Sequence, residues 1–218
     1  MPVIAIDGPA GSGKSTVAKA VATRLGLRYL DTGAMYRSVA FAALRENADV
    51  EDGAALGRLA AGLAIVVDQR VTVDGEDATA AIRGPAVTGI VSAVSAHPEV
   101  RAELVRRQRE WASTHGGGVL EGRDIGTVVF PDADVKVFLT ASEQERARRR
   151  QRDEDAPDVA AVAADLARRD SLDSSRQVSP LRPADDAVVV DTTARTVDDV
   201  VDEVVALVEQ AEQAEQRP

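Results

Sequence analysis

Gly8-Pro9-Ala10-Gly11-Ser12-Gly13-Lys14-Ser15 fits the pattern G-x-x-x-x-G-K-[ST]. The apolar run Val3-Ile4-Ala5-Ile6 precedes it, and a helical pattern from Ser15 to Leu25 follows. Strand, glycine loop and helix in that order make a phosphate-binding loop. The glycines let the main chain turn tightly and come close to a polyphosphate. The N–H groups of the loop and of the first helical turn then face the anion. Lys14 reaches the β- and γ-phosphates, and the Ser15 hydroxyl suits Mg²⁺. The nine residues from Gly8 to Thr16 are therefore the expected ATP-binding segment, with Mg²⁺ as the cofactor and Ser15 as its protein ligand.

The rest of the chain puts this loop in a parallel α/β fold. Short apolar runs at Val3–Ile6, Arg28–Leu30, Gly118–Leu120, Val135–Leu139 and Ala187–Val190 read as strands covered on both faces. Helical patterns at 14–25, 34–46, 142–153, 158–176 and 196–214 alternate with them. Residues 63–83 break the alternation. Leu63–Asp68 and Arg70–Asp74 look like paired strands joined to a third, Ala78–Arg83, with Asp74-Gly75 as a hairpin turn. Two further helical patterns follow at 85–95 and 98–114. Ligands of parallel sheets bind at the carboxyl ends of strands. Gly8, Asp31, Arg123 and Asp124 all directly follow expected strands.

Composition narrows the chemistry. With 218 residues and 44% hydrophobic content, one sizeable core is expected. The absence of cysteine excludes disulfides, thiol nucleophiles and Cys-based zinc sites. The two histidines, His97 and His115, have no metal-ligand spacing. The net charge of −10 argues against a nucleic-acid partner. No signal peptide or membrane span is legible, so a cytoplasmic, monomeric protein is expected, with neither membrane nor nucleic acid as a partner. The acidic charge is concentrated at 185–218, where ten acidic side chains face two basic ones. Residues 101–152 reverse the balance, with eleven basic and eight acidic side chains, and suit an anionic substrate.

Three further groups stand out. Asp31-Thr32-Gly33-Ala34-Met35-Tyr36-Arg37 opens a helix that Thr32 can cap. Taken alone, it reads equally well as a capped helix with a solvent-facing arginine. Gly122-Arg123-Asp124-Ile125-Gly126-Thr127 places an Arg-Asp pair at a strand end. Arg169, Asp173 and Arg176 share one helix face, either as a binding face or as a surface ion-pair ladder. Arg146, Arg148, Arg149, Arg150 and Arg152 crowd one short helix, as a solvated basic face or a lid over triphosphate.

These segments resemble the bacterial cytidylate kinases of the nucleoside monophosphate kinase superfamily. IDGPAGSGKST, DTGAMYR, PEVRAELVRRQR, EGRDIGTVVFPDADVKVFL, RRDSLDSSR and VSPLRPADDAVVVDTT carry the resemblance, which runs essentially end to end. The resemblance implies a single P-loop kinase domain over 1–218, with a central parallel sheet flanked by helices. It also implies a monophosphate-binding region at 32–100 that includes the antiparallel insert 63–83, and a short helical lid at 145–160. The implied reaction moves the γ-phosphoryl group of ATP to CMP or dCMP. Arg37, Arg123 and Arg176 would grip the acceptor phosphate. Ser92, Arg101 and Asp124 would read cytosine, and Arg169 and Asp173 would hold the ribose. Asp31 and Thr32 would line the acceptor site, and Asp31 is also a candidate acid for Mg²⁺. Arg148 to Arg150 would supply the lid. Within that trio, Arg149 and Arg150 join Lys14, Arg123 and Arg176 as candidate catalytic groups.

A GTP-driven switch would need N-K-x-D and D-x-x-G; the chain lacks both, and its one asparagine, Asn47, is in the wrong setting. A kinase for another small acceptor, of the shikimate, uridylate or adenylate type, is the closer alternative.

Overall fold

The computed structural model describes residues 1–154 and 158–215. The chain runs β1 (Val3–Asp7), α1 (Lys14–Leu25), β2 (Tyr29–Asp31), α2 (Thr32–Arg45) and α3 (Gly53–Gly62). It continues through β3 (Ile65–Val67), β4 (Val71–Val73), β5 (Glu76–Asp77), α4 (Pro85–Val94) and α5 (Pro98–His115). The last part is β6 (Gly118–Gly122), β7 (Val135–Thr140), α6 (Glu143–Glu154), α7 (Val159–Ser174), β8 (Val188–Asp191) and α8 (Val197–Glu215). The expected lid at 145–160 includes residues 155–157, which lie outside the described residues.

The main sheet has the order β2-β6-β1-β7-β8. β1 lies between β6 and β7, parallel to both, with Asp7 in register with Gly122 and with Phe138. β8 runs parallel to β7. The carboxyl ends of β1 and β6 therefore stand side by side, and both continue into site segments. Ile4, Ile6, Val119, Val137 and Leu139 are buried in the sheet. Val17, Val21, Val201 and Val204 of α1 and α8 join them in one core. β-branched residues suit β1, β6 and β7 because both faces are covered there. The edge strand β8, expected to be covered as well, buries only Val190 and leaves Val188 and Val189 exposed, because it has a strand neighbour on one side alone.

The chain divides into two compact units. One comprises residues 1–29 and 115–218, and the other Leu30–Thr114. The second unit holds an antiparallel sheet in the order β3-β4-β5. Its third strand is Glu76–Asp77, not the expected Ala78–Arg83. Asp74 and Gly75 both have positive φ, 52° and 84°, so the turn occupies two residues and Val73 pairs directly with Glu76. Ala81–Arg83 is instead a single 3₁₀ turn. Helix α3 has no counterpart in the expected pattern. Gly53, Gly57 and Gly62 argue against a helix on propensity. Packing overrides propensity here, because a Cβ on Gly57 would lie 2.6 Å from the Glu99 Cβ. Asp52 starts α3 by accepting from the Ala55 N–H.

Candidate active site

The phosphate loop links β1 to α1. Gly8 has φ +149°, and a Cβ there would sit 2.1 Å from the Leu139 carbonyl oxygen. Gly11, at φ +76°, would place a Cβ 2.9 Å from the Arg146 carbonyl. Both positions require glycine, for backbone angle and for space. Gly13 caps α1 without any side-chain acceptor, and no acid stands in the first turn of that helix. Its leading N–H groups and the positive end of its dipole are left for an anion. Lys14 is buried, and its Nζ donates to the Pro9 carbonyl at 2.7 Å. Burial, followed by the like charge of Arg123, draws its ammonium down to about 7. A cation in that position gains strongly from an incoming polyanion.

Glu121, the first residue of the EGRDIG segment, is given no role by the sequence reading. It is 3% exposed at the end of β6. Its carboxylate accepts from the Ser15 hydroxyl at 2.9 Å and from the Tyr29 hydroxyl. A carboxylate one residue before the Gly122-Arg123-Asp124 turn was the available signal. Ser15 and Glu121 are hard oxygen donors, the set that suits Mg²⁺. Among the described residues no group of three His, Cys, Asp or Glu could hold a metal ion. Mg²⁺ commonly uses one or two protein oxygens and takes the rest from phosphates and water, so this donor pair fits it.

Beyond β6, Arg123, Asp173 and Arg176 come together. One Asp173 oxygen accepts from Arg123 Nε at 3.1 Å and the other from Arg176 at 2.5 Å. Asp173 and Arg176 are almost wholly buried. The surface-ladder reading of the 169–176 segment therefore fails: this is one buried carboxylate between two guanidiniums. Helix α7 ends at Ser174, so Arg176 lies just beyond it, where a helix through 176 was expected. Arg169 is buried on the same face, and its pKa is lowered by burial, then by the charges of Arg123 and Arg150. Four cationic groups thus share a small region with a single acid bridging two of them.

Asp124 is buried and opens a π-helical turn, Ile125–Val129. Asp7, 5% exposed, holds that turn from below, accepting from the N–H groups of Ile125 at 2.9 Å and Gly126 at 2.8 Å. Burial pushes the Asp7 carboxyl up to about 6, against the two N–H bonds that favour its anion. A raised carboxyl pKa means that the folded chain binds the proton more tightly than the unfolded one. Stability from this group is therefore largest at low pH and falls as pH rises from about 4 to about 6. Asp7→Asn removes that titration. Its stability relative to the parent should improve by up to about 3 kcal/mol across the window, as 1.36 kcal/mol per unit requires. Urea unfolding of both proteins at pH 4, 5, 6 and 7 checks this; a constant difference rejects it.

The Leu30–Thr114 unit carries the remaining candidates. Asp31, not Thr32, caps α2, accepting from Ala34 N–H at 2.9 Å, and Thr32 is already the first helical residue. The other Asp31 oxygen accepts from Arg83 at 3.0 Å. Arg37 does not face solvent: its guanidinium donates to the Ile82 carbonyl at 3.1 Å and the Thr88 hydroxyl at 2.9 Å. Arg101 is buried over the Tyr36 ring, 5.3 Å from its centroid, and donates to the Ser95 carbonyl. Ser95 in turn donates to the carbonyl of Ser92, which is buried in α4. Arg37 and Arg101 are thus held inside one unit by carbonyls, the Thr88 hydroxyl and an aromatic face, and Ser92 is tied in through its own carbonyl.

The arginine cluster of α6 separates into distinct roles. Arg148 is exposed. Arg149 donates to the hydroxyl and carbonyl of Thr192 at 2.8 and 2.7 Å and to the Ser12 carbonyl at 3.4 Å. It braces the phosphate loop against the residue that follows β8. Arg150 is the neighbour whose charge acts on Arg169.

The family model described as cytidylate kinase matches residues 4–210. A cytidylate kinase of Mycolicibacterium paratuberculosis is 55% identical over 218 residues, covering 95% of each chain. One from Nocardia farcinica is 52% identical, covering 95% of this chain and 94% of its own. Shikimate kinase from Acinetobacter baumannii shares the fold at a TM-score of 0.51, with 16% identity over 96% of this chain and 94% of that one. The shikimate-kinase likeness is therefore one of architecture, while the sequence likeness runs the length of the site segments. The chain belongs to the cytidylate kinase family of nucleoside monophosphate kinases.

Proposed function

We propose that the chain transfers the γ-phosphoryl group of ATP to CMP or dCMP, giving ADP and the diphosphate. The gathering of Arg123, Arg169 and Arg176 around Asp173, with the charge of Arg123 felt at Lys14, carries this reading. Two polyanions must meet in line, so the protein's task is positioning and neutralisation. Two unit charges 4 Å apart at an effective dielectric near 20 interact by about 4 kcal/mol, so several cations are needed. The acceptor is a phosphate oxygen, already anionic near neutral pH, and needs no general base.

In this reading the loop N–H groups and Lys14 take the ATP phosphates. Arg123 and Arg176 take the acceptor phosphate together with Arg37. Arg169 and Asp173 hold the ribose. Arg150 is the lid arginine assigned to the transferring group, and Arg149 supports the loop. Residues 32–100 form the acceptor region, and 145–160 the lid. Ser15 and Glu121 would hold Mg²⁺, which when bound supplies neutralisation of the triphosphate. Among the described residues no helix is long and apolar enough to cross a membrane, in keeping with free nucleotide substrates. ADP release across CMP, dCMP, UMP, AMP, GMP and shikimate tests the reading; turnover confined to an acceptor other than CMP or dCMP overturns it.

Base choice follows from polarity. Cytosine offers an amino donor at N4 and an acceptor at N3, and uracil reverses both. Asp124 accepts from N4, Arg101 donates to N3 or O2, and Ser92 supports them. Unpaired polar groups in a closed site discriminate by several kcal/mol. Asp124→Asn should lower kcat/KM for CMP about a hundredfold and narrow the CMP-to-UMP ratio, because an amide can donate to uracil O4. Equal loss for both nucleotides in steady-state kinetics would assign Asp124 to the phosphate instead.

A further inference from the structure

We propose that Arg146 and Asp170 are positioning residues for the phosphate donor, clasping the main chain of the phosphate loop at Ala10 by its N–H and its carbonyl. Arg146 donates to the Ala10 carbonyl at 3.2 Å, and Asp170 accepts from the Ala10 N–H at 3.4 Å. The two side chains are ion-paired with each other. The two peptide units that flank the Ala10 Cα are therefore held, one at its carbonyl by a cation and the other at its N–H by an anion. The cation and the anion come from α6 and α7, 136 and 160 residues further along the chain.

The surroundings are built for this contact. A Cβ on Gly11 would lie 3.0 Å from the Arg146 Cβ, so only glycine lets α6 rest on the loop. Ala10, Ala147, Val162 and Leu166 form a small apolar cluster that ties loop, α6 and α7 together. Asp170 also adds to the negative charge acting on Lys14. The clasp thus touches the loop at one residue and its key cation at a distance.

Stability alone does not account for the pair. Arg146 is 8% exposed, and among the described residues its Nε has no acceptor. A buried guanidinium with an unused donor costs desolvation that apolar side chains of similar size would not. Buried charged groups that are poor stabilisers are expected where a site needs fixed geometry. Here the geometry is the path of the main chain through Ala10, which sets where the N–H groups that follow it, from Gly11 to Lys14, are aimed.

The inference rests on ATP being the phosphate donor. Calorimetry with a non-hydrolysable ATP analogue, and separately with CMP, tests it on Arg146→Met, Asp170→Asn and the double variant Arg146→Met/Asp170→Leu. Each single variant should raise the analogue's Kd at least tenfold, and the double variant should raise it by about the same factor as a single one, not by the product of the two. CMP affinity should change less than twofold. The double variant should unfold at the parent temperature or above. Unchanged analogue affinity in a folded variant overturns the clasp, as do losses that multiply in the double variant or a matching loss of CMP affinity. Should a single variant not fold, the double variant decides alone by its analogue and CMP affinities. Phosphoryl transfer by the parent is measured alongside. A parent that binds the analogue but does not use CMP would overturn the acceptor assignment and leave the clasp standing.

Discussion

Replacing Lys14 with alanine or methionine is expected to lower kcat about a thousandfold while leaving the chain folded. Lys14 is buried, and its Nζ donates to the Pro9 carbonyl. Burial and Arg123 both oppose its charge, which is why its ammonium sits near 7. Removing it relieves the resting protein of an unfavourable burial, so thermal stability should hold or rise. Its charge becomes useful only when a polyanion enters and negative charge shifts between β- and γ-phosphates. One lost donor to a developing charge typically costs 10²–10³ in kcat, and a full charge in a dry site lies at the upper end. Single-turnover transfer and thermal unfolding should be measured on the same preparation. Near-parent turnover in a folded variant would remove Lys14 from the mechanism.

Arg176 should give the next largest effect, a loss of about 10²–10³ in kcat/KM for CMP on substitution with alanine. Asp173 shares its two oxygens between Arg123 and Arg176. Without Arg176, the full pull of that carboxylate falls on Arg123, and both guanidiniums are lost to the acceptor phosphate together. Asp173 also loses one of its two charged partners in a buried place, so the alanine variant should melt earlier. Arg176→Lys separates the two effects. It keeps the charge beside Asp173 and loses the planar fork that binds phosphate bidentately. The lysine variant should stay folded and still lose at least tenfold in kcat/KM, with little change in the KM for ATP. A loss of less than about fivefold in both variants would return Arg176 to a purely structural pairing with Asp173.

The phosphate loop was legible because its chemistry is contiguous. Eight neighbouring residues supply the glycines, the cation and the hydroxyl, and the flanking runs announce a strand and a helix. The five strands of the main sheet were legible for a related reason, since short β-branched runs between helical patterns have one common solution, a covered parallel sheet. Boundaries were less secure where local signals competed. Asp31 and Thr32 are both good caps, and only the structure shows that the Asp31 carboxylate takes the Ala34 N–H. The third insert strand was displaced because a two-residue turn at Asp74-Gly75 leaves no room before Glu76.

By itself, the sequence determined that this chain binds a nucleoside triphosphate on a parallel α/β frame and which motifs line its site. Tertiary structure alone decided how those groups are held. Glu121 meets Ser15 across 106 residues, Asp173 meets Arg123 across 50, and Arg146 meets the Ala10 carbonyl across 136. No local propensity encodes such pairs. They exist because β1 pairs with β6 on one side and β7 on the other, which brings three distant strand ends to one edge. Partner choice among the arginines around the site is then settled by burial. A charge removed from water must find its counter-charge within reach, and only the folded chain defines what is within reach.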